Sequence, residues 1–141
     1  MRRPTTQTSH SEPGLAALVV DDDMNIRELI GELLESEGYA VEMASDGQCA
    51  LERLRASSRR MVVLLDVMMP VLNGIETLEI IARDEALARQ HGFVVMTASA
   101  LGRSDALLRL ARQFNAPVLT KPFSIETLMR SVSDVASRLR D

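Results

Sequence analysis

Five polar side chains that could bind a metal ion or an anion stand at the ends of short apolar runs. Asp66 follows Met61–Leu65, whose five apolar residues indicate a strand buried on both faces. The other four are Asp21 and Asp22 after Leu15–Val20, Thr97 at the end of Phe93–Thr97, and Lys121 after Pro117–Thr120. Ligands bind outside the carboxyl ends of the strands in an open α/β sheet, so we expect one shared site there.

The chemistry of this set points to phosphoryl transfer. Asp21, Asp22 and Asp66 would repel one another unless a cation neutralised them. Oxygen donors without His or Cys favour Mg²⁺, which is typically held by one or two carboxylates together with phosphate oxygens. A metal ion, the Thr97 hydroxyl and the Lys121 ammonium around Asp66 would suit transfer of a phosphoryl group to that carboxylate.

Lys121 is the single lysine among 16 basic residues. The chain otherwise uses arginine wherever a cation is needed. A compact ammonium suits one phosphoryl oxygen in a narrow pocket better than a broad guanidinium does. The composition therefore favours a specific role for Lys121 over a chance surface position.

The elements that must position these residues follow from hydrophobic periodicity. Five strands are predicted, and amphipathic helices follow them, which implies a parallel sheet covered on both sides. Asp23 could cap the first helix, and Ser45 or Asp46 the second. Residues 89–92 are expected to form a polar connection, and Ser124 to cap the last helix. The predicted strands are Leu15–Val20, Tyr39–Ala44, Met61–Asp66, Phe93–Thr97 and Pro117–Thr120, and the inward residues of the last helix are Ile125, Leu128, Val132, Val135 and Leu139.

Length and composition set limits on function. The 141 residues suit one globular domain, and 46% of them are hydrophobic. A net charge of −4 does not favour direct nucleic-acid binding. Cys49 cannot form an internal disulfide, no apolar run reaches membrane length, and the N-terminal residues lack the apolar core expected of a signal peptide. We expect a cytoplasmic protein that does not enter a membrane.

Each candidate also has a simpler interpretation. An isolated triplet such as residues 21–23 before a helix is more often an N-cap with acids that suit the helix dipole, although capping and metal binding are compatible. Thr97 alone would be an ordinary strand residue. His10 and His91 lie in polar stretches and are expected to be solvated. Only the combination of strand ends gives these residues a shared role.

Four motifs stand at predicted strand ends along the chain: Leu18-Val19-Val20-Asp21-Asp22-Asp23, Leu65-Asp66-Val67-Met68-Met69-Pro70 with Asn73-Gly74, Met96-Thr97-Ala98, and Thr120-Lys121-Pro122-Phe123. Together they resemble the receiver domain of bacterial two-component response regulators, the CheY-like family. Each motif is weak alone, and the four together are specific. The resemblance implies an α/β, flavodoxin-like (βα)5 fold, a doubly wound parallel five-stranded sheet of order 2-1-3-4-5. It covers residues 15–141, with a flexible tail at 1–14 and no output domain expected.

The resemblance also implies roles for matching residues. Asp66 is similar to the aspartate phosphorylated by a histidine kinase, and Thr97 and Lys121 to the groups that contact the phosphate. A cis bond is implied before Pro122, and Ala98 matches a small residue that leaves the phosphate accessible. The implied Mg²⁺ ligands are Asp22, Asp66, the Met68 backbone carbonyl, and Asp21 through water. The implied partners are a sensor histidine kinase or a histidine phosphotransfer protein, and a downstream protein target.

One departure from the family pattern leaves part of the signalling open. Val118 stands where many receivers carry an aromatic switch residue, so signalling could rest on Thr97 and residues 101–114.

Two alternative functions remain open. The first is a phosphate-independent interaction module. The second is a metal-dependent phosphatase with an aspartyl nucleophile, but Met68, two residues after Asp66, cannot act as its general acid.

Overall fold

A computed structural model of the protein describes residues 15–98 and 104–140. The predicted tail at 1–14 and the start of the 101–114 segment lie outside these residues. None of the helices in the described ranges is long and apolar enough to cross a membrane. The strands are β1 Ala16–Val20, β2 Ala40–Ala44, β3 Met61–Asp66, β4 Gly92–Thr97 and β5 Val118–Thr120, and the helices are α1 Met24–Ser36, α2 Gly47–Ala56, α3 Gly74–Ala82, α4 Glu85–Gln90, α5 Asp105–Phe114 and α6 Ile125–Arg140.

The five strands form one parallel sheet in the order β2-β1-β3-β4-β5, as the resemblance implies. Strands β1 and β3 are buried along their whole lengths, which explains their unbroken apolar sequences. The edge strand β2 is mostly half-buried or exposed and correspondingly less apolar. In the register, Val20 lies opposite Leu65, so the residues that follow them, Asp21 and Asp66, leave the sheet side by side.

Helices cover both faces of this sheet. One face packs against α1 and α6 through residues such as Leu34 and Val132. The other face packs against α2, α3, α4 and α5. Phe93 of β4 meets Phe114 of α5 edge to face, with ring centroids 5.0 Å apart. Successive strand residues alternate between these two layers, so the position of a residue along a strand determines the layer that it faces.

Polar caps fix where the helices begin. Asp23 caps α1, and Asp46 rather than Ser45 caps α2. Asn73 and Glu76 form a capping box at the start of α3, in which each side chain accepts a hydrogen bond from the other residue's backbone N–H. Ser124 accepts a hydrogen bond from the backbone N–H of Thr127, as expected for the cap of α6. Each of these caps follows a strand of the parallel sheet, so all of them lie at the same edge of it.

Three expectations were wrong. The connection predicted at 89–92 instead contains the end of the short helix α4 and the start of β4. His91 is 4% exposed rather than solvated, because its Nδ1 accepts a hydrogen bond from the backbone N–H of Met61. Ile125 does not face the core but is 57% exposed, since the first residue of α6 lies at the rim of a groove beside α1.

Candidate functional site

Three carboxylates converge at the carboxyl edge of the sheet. Asp21, Asp22 and Asp66 each offer an oxygen, and these oxygens lie within 4.8 Å of one another. Asp21 and Asp66 are 1% and 4% exposed, whereas Asp22 is open to solvent. The sequence predicted that residues following two separate strands would meet at this edge, and their positions agree with that prediction.

Several hydrogen bonds hold the segment that follows β1. The Oδ1 atom of Asp21 accepts a hydrogen bond from the backbone N–H of Asp23 at 2.9 Å. The side chain of Asp23 turns away to cap α1, accepting from the N–H groups of Asn25 and Ile26. Capping and the carboxylate cluster therefore coexist, with Asp23 serving the helix.

Lys121 is the cation of the site. Its Nζ donates a hydrogen bond to Asp21 Oδ2 at 3.1 Å and lies 3.6 Å from Asp66 Oδ1. Its backbone N–H donates to the carbonyl of Thr97 at 2.7 Å, which ties the end of β5 to the end of β4. The peptide bond between Lys121 and Pro122 is cis, as the resemblance implies. The single lysine of the chain thus lies among the acids.

The surroundings of Asp66 disfavour the ionised form of its carboxyl group. Burial, followed by the charge of Asp21, raises the pKa of Asp66 from 3.8 to about 6, although the charge of Lys121 opposes this. For Lys121, burial lowers the pKa, but the hydrogen bond to Asp21 and the nearby carboxylate charges outweigh it and leave the pKa raised. The ionised form of Asp66 is therefore only partly compensated by the protein.

The donor set fits a hard divalent cation. Asp66 Oδ1 is buried and has no hydrogen-bond partner within the described part of the chain. Such an atom usually has an unseen partner, and oxygen-only ligands match Mg²⁺. The cluster of acids with an unsatisfied buried oxygen is therefore chemically suited to a magnesium ion.

The loop after β3 packs closely against the backbone of Asp66. The backbone N–H of Gly74 donates to the carbonyl of Val67, and a Cβ on Gly74 would lie 2.5 Å from the carbonyl oxygen of Asp66. Only glycine allows α3 to begin this close to Asp66. Within the loop, the side chain of Met68 is 65% exposed, and Val71 adopts a positive φ of 68°. The backbone of Met68 hydrogen-bonds to the Asp66 carboxylate, so the exposed Met68 side chain lies at the mouth of the site.

Thr97 ends β4 and is fully buried, and the next residue, Ala98, is exposed. Thr97 lies opposite Thr120 in the register, one residue beyond the pair formed by Asp66 and Met96. Each predicted strand-end residue therefore lies at the same edge of the sheet. Their roles in binding remain predictions.

A sequence model of one protein family matches most of the chain. It is described as the response regulator receiver domain, and it matches residues 17–133. The chain belongs to the response regulator receiver domain family. Receiver domains are signalling modules of two-component systems, and the match confirms the resemblance seen in the four motifs.

Relatives and solved structures agree with this assignment of the receiver domain. A CpxR homolog of Haemophilus influenzae, named as a transcriptional regulatory protein, is 40% identical over 122 residues, covering 86% of this chain and 50% of the relative. The chain thus spans about half the length of the curated relatives it matches. A CheY-like receiver domain protein from Methanospirillum hungatei JF-1 superposes with a TM-score of 0.77, at 28% identity, over 90% of this chain and 98% of that one. Chemotaxis protein CheY4 of Vibrio cholerae superposes with a TM-score of 0.72, at 30% identity, over 86% and 98%.

Sequence reasoning missed one residue of this receiver domain beside the site. Arg27 donates a hydrogen bond from Nη1 to the carbonyl of Asp21 at 2.8 Å. A charged residue in the first turn of an amphipathic helix is expected to face solvent, so periodicity gave no sign of this contact. The only available signal was its proximity in sequence to the acidic triplet.

Proposed function

We propose that this receiver domain accepts a phosphoryl group on Asp66 from a phosphohistidine of a sensor histidine kinase or a histidine phosphotransfer protein. The observation that carries the proposal is the arrangement around Asp66 Oδ1, a buried carboxylate oxygen without a hydrogen-bond partner among the described residues, 3.6 Å from the Lys121 ammonium. A carboxylate held in this position can act as the nucleophile that attacks phosphorus.

The proposed cofactor is Mg²⁺. Asp22, Asp66 and the backbone carbonyl of Met68 would hold it directly, and Asp21 would hold it through a water molecule. When bound, magnesium supplies positive charge that shields the carboxylate from the phosphoryl oxygens. The carboxylate cluster and the unsatisfied oxygen support this assignment.

The protein's own groups then position the reacting atoms. A carboxylate oxygen of Asp66 forms the new P–O bond as the P–N bond of the phosphohistidine breaks, and the electron pair of that bond returns to the imidazole. Lys121 and Thr97 hold phosphoryl oxygens, so catalysis consists mainly of positioning and charge stabilisation. The phosphoryl group is later lost by slow hydrolysis, in which water attacks phosphorus, the P–O bond to Asp66 breaks, and inorganic phosphate leaves. No separate metabolite is turned over.

An apolar groove beside the site supports a protein as phosphodonor. The groove, of about 480 Å³, lies between α1 and the start of α6, and Lys121 and Ala98 form part of its wall. Leu29 and Ile125 at its rim are each more than half exposed. Apolar grooves with exposed rims are a common form of protein interaction surface. A helix of the donor protein seated in this groove would bring its histidine to Asp66.

The proposed output is contact with a downstream protein target, in the cytoplasm and without direct binding to nucleic acid. The phosphatase alternative is disfavoured because Met68 supplies no general acid. The interaction-module alternative is disfavoured because the carboxylates and Lys121 form one ion-paired cluster. A domain that had lost its chemistry would have no reason to keep this buried charge.

The deciding experiment is phosphorylation by a small-molecule phosphodonor, followed by intact-protein mass spectrometry. We expect a Mg²⁺-dependent mass increase of one phosphoryl group that is lost in Asp66→Asn. Asp134→Asn, at an exposed position on α6, serves as the matched control and should label normally. Absence of an adduct in the wild-type protein would favour the interaction module, and steady release of phosphate with turnover would favour the phosphatase.

A further inference from the structure

Arg27 links the first turn of α1 to the end of β1. Its Nη1 donates a hydrogen bond to the carbonyl of Asp21 at 2.8 Å, while its backbone N–H donates to the carbonyl of Asp23 at 2.9 Å. The side chain is half-buried. Arg27 therefore bridges the acidic triplet from one end to the other.

The carbonyl that Arg27 contacts belongs to the peptide group between Asp21 and Asp22. Because a peptide group is planar, fixing this oxygen also fixes the orientation of the Asp22 N–H and limits the backbone of Asp22. Asp21 is already held through its N–H, which donates to Ala44, and through its carboxylate, but Asp22 is exposed. The guanidinium thus acts on the less restrained of the two acids.

The charge of Arg27 is not committed to a carboxylate. None of the ion pairs within 15–98 and 104–140 includes Arg27. By contrast, Arg89 in α4 pairs with Glu85 one helical turn away. The hydrogen bond to the Asp21 carbonyl is therefore the specific interaction that Arg27 makes.

We propose that Arg27 is a positioning residue that orients Asp22 for magnesium through the backbone carbonyl of Asp21. The proposal rests on the magnesium site proposed above. Groups that orient metal ligands without touching the metal commonly change metal affinity about 10- to 100-fold when removed. Arg27 acts through the backbone rather than on a ligand atom, so the effect belongs at the lower end of that range.

A simpler electrostatic role makes the opposite prediction. If Arg27 acted only through its charge, its removal would reduce repulsion of a dication and tighten magnesium binding. Because the guanidinium is partly exposed, solvent screens that repulsion, whereas the short hydrogen bond is retained. The two roles therefore differ in the sign of the change in affinity.

The test is calorimetric titration of Mg²⁺ into the metal-free wild-type protein and into Arg27→Met and Arg27→Lys. We expect Arg27→Met to weaken binding about tenfold. Arg27→Lys, which can still donate to the carbonyl, should recover much of the loss. Arg53→Met removes an exposed arginine that pairs with Glu42 far from the triplet, and it should bind like the wild type.

A second readout separates positioning from loss of folding. In metal-free protein, the amide resonances of Asp22 and Asp23 should shift in Arg27→Met and return toward the wild-type values in Arg27→Lys, with the thermal midpoint little changed. Unchanged or tighter magnesium binding in Arg27→Met would overturn the role of Arg27. No binding by the wild-type protein would instead overturn the magnesium site itself.

Discussion

The ammonium of Lys121 lies 3.1 Å from Oδ2 of Asp21, although the two residues are 100 positions apart in the chain. The side chain of Lys121 is 21% exposed and that of Asp21 is 1% exposed, so the pair is largely shielded from water. A shielded pair is costly to break on one side, because the remaining charge is left without compensation. This pair therefore determines much of the electrostatics around Asp66.

Replacing Lys121 should raise the pKa of Asp66. The positive charge of Lys121 lowers this pKa, which lies at about 6 with the lysine present. In metal-free Lys121→Met we expect the midpoint of the Asp66 titration to move well above 6, whereas Lys121→Arg should keep it near 6. Carboxyl-carbon NMR of the aspartates measures the midpoint. An unchanged midpoint in Lys121→Met would contradict the geometry described here.

Asp66→Asn should stabilise the metal-free protein at pH 8. The pKa of Asp66 is about 6 in the folded protein against 3.8 ordinarily, so the folded state binds the Asp66 proton more tightly than the unfolded chain does. Stability is therefore lost as the pH rises from 3.8 to about 6, and the whole loss is present above pH 6. Removing the charge should raise the free energy of unfolding by roughly 1–3 kcal/mol in denaturant titrations. Adding Mg²⁺ should stabilise the wild type more than Asp66→Asn. Glu79→Gln, at an exposed position on α3, is the control.

Met68→Asn should shorten the lifetime of the phosphorylated form. The side chain of Met68 lies at the mouth of the site and is apolar, so it should obstruct the water molecule that attacks the acyl phosphate. Asparagine would admit and orient that water. Loss of the phosphoryl mass with time gives the rate. Equal or faster decay in the wild-type protein would overturn the prediction.

Val118→Tyr should leave phosphorylation of Asp66 intact. Val118 begins β5 and packs against the α2–α5 layer rather than among the carboxylates, so the change does not reach the reacting groups. Labelling by a small-molecule phosphodonor should therefore be unchanged. Abolished labelling would show that this position is coupled to the site.

His91 should make the protein less stable in mild acid. Burial lowers the pKa of His91 from 6.5 to about 4, so the unfolded chain takes up this proton first and stability is lost as the pH falls from 6.5 toward 4. His91→Gln, which can still accept from the N–H of Met61, should remove a loss on the order of 2 kcal/mol. Asp66 contributes the opposite dependence in this range, so both proteins should be compared in an Asp66→Asn background. If His91→Gln lost as much stability in mild acid as the protein that keeps His91, the role of His91 would be refuted.

The sequence predicted most of the sheet because buried parallel strands leave a strong signal. The unbroken apolar run of β3 ends at Asp66, and this pattern indicated both the strand and the edge at which the site lies. His91 was misjudged because its neighbours are polar, and its burial depends on the N–H of Met61, 30 residues away. The contact of Arg27 with the Asp21 carbonyl was hidden for a similar reason, since such a contact leaves no trace in hydrophobic periodicity. Helix α4 is only six residues long, too short for a clear amphipathic pattern.

The alternation of side chains along the strands divides the site between the two helix layers. Thr97 continues the series of Phe93 and Val95, which pack with α2–α5. Lys121 continues that of Leu119, which packs with α1 and α6. A phosphoryl group held by both Thr97 and Lys121 would therefore join the two halves of the molecule at their shared edge. Under the proposed function, phosphorylation would act as a mechanical cross-link between a donor-facing half and a half left free to carry the signal onward.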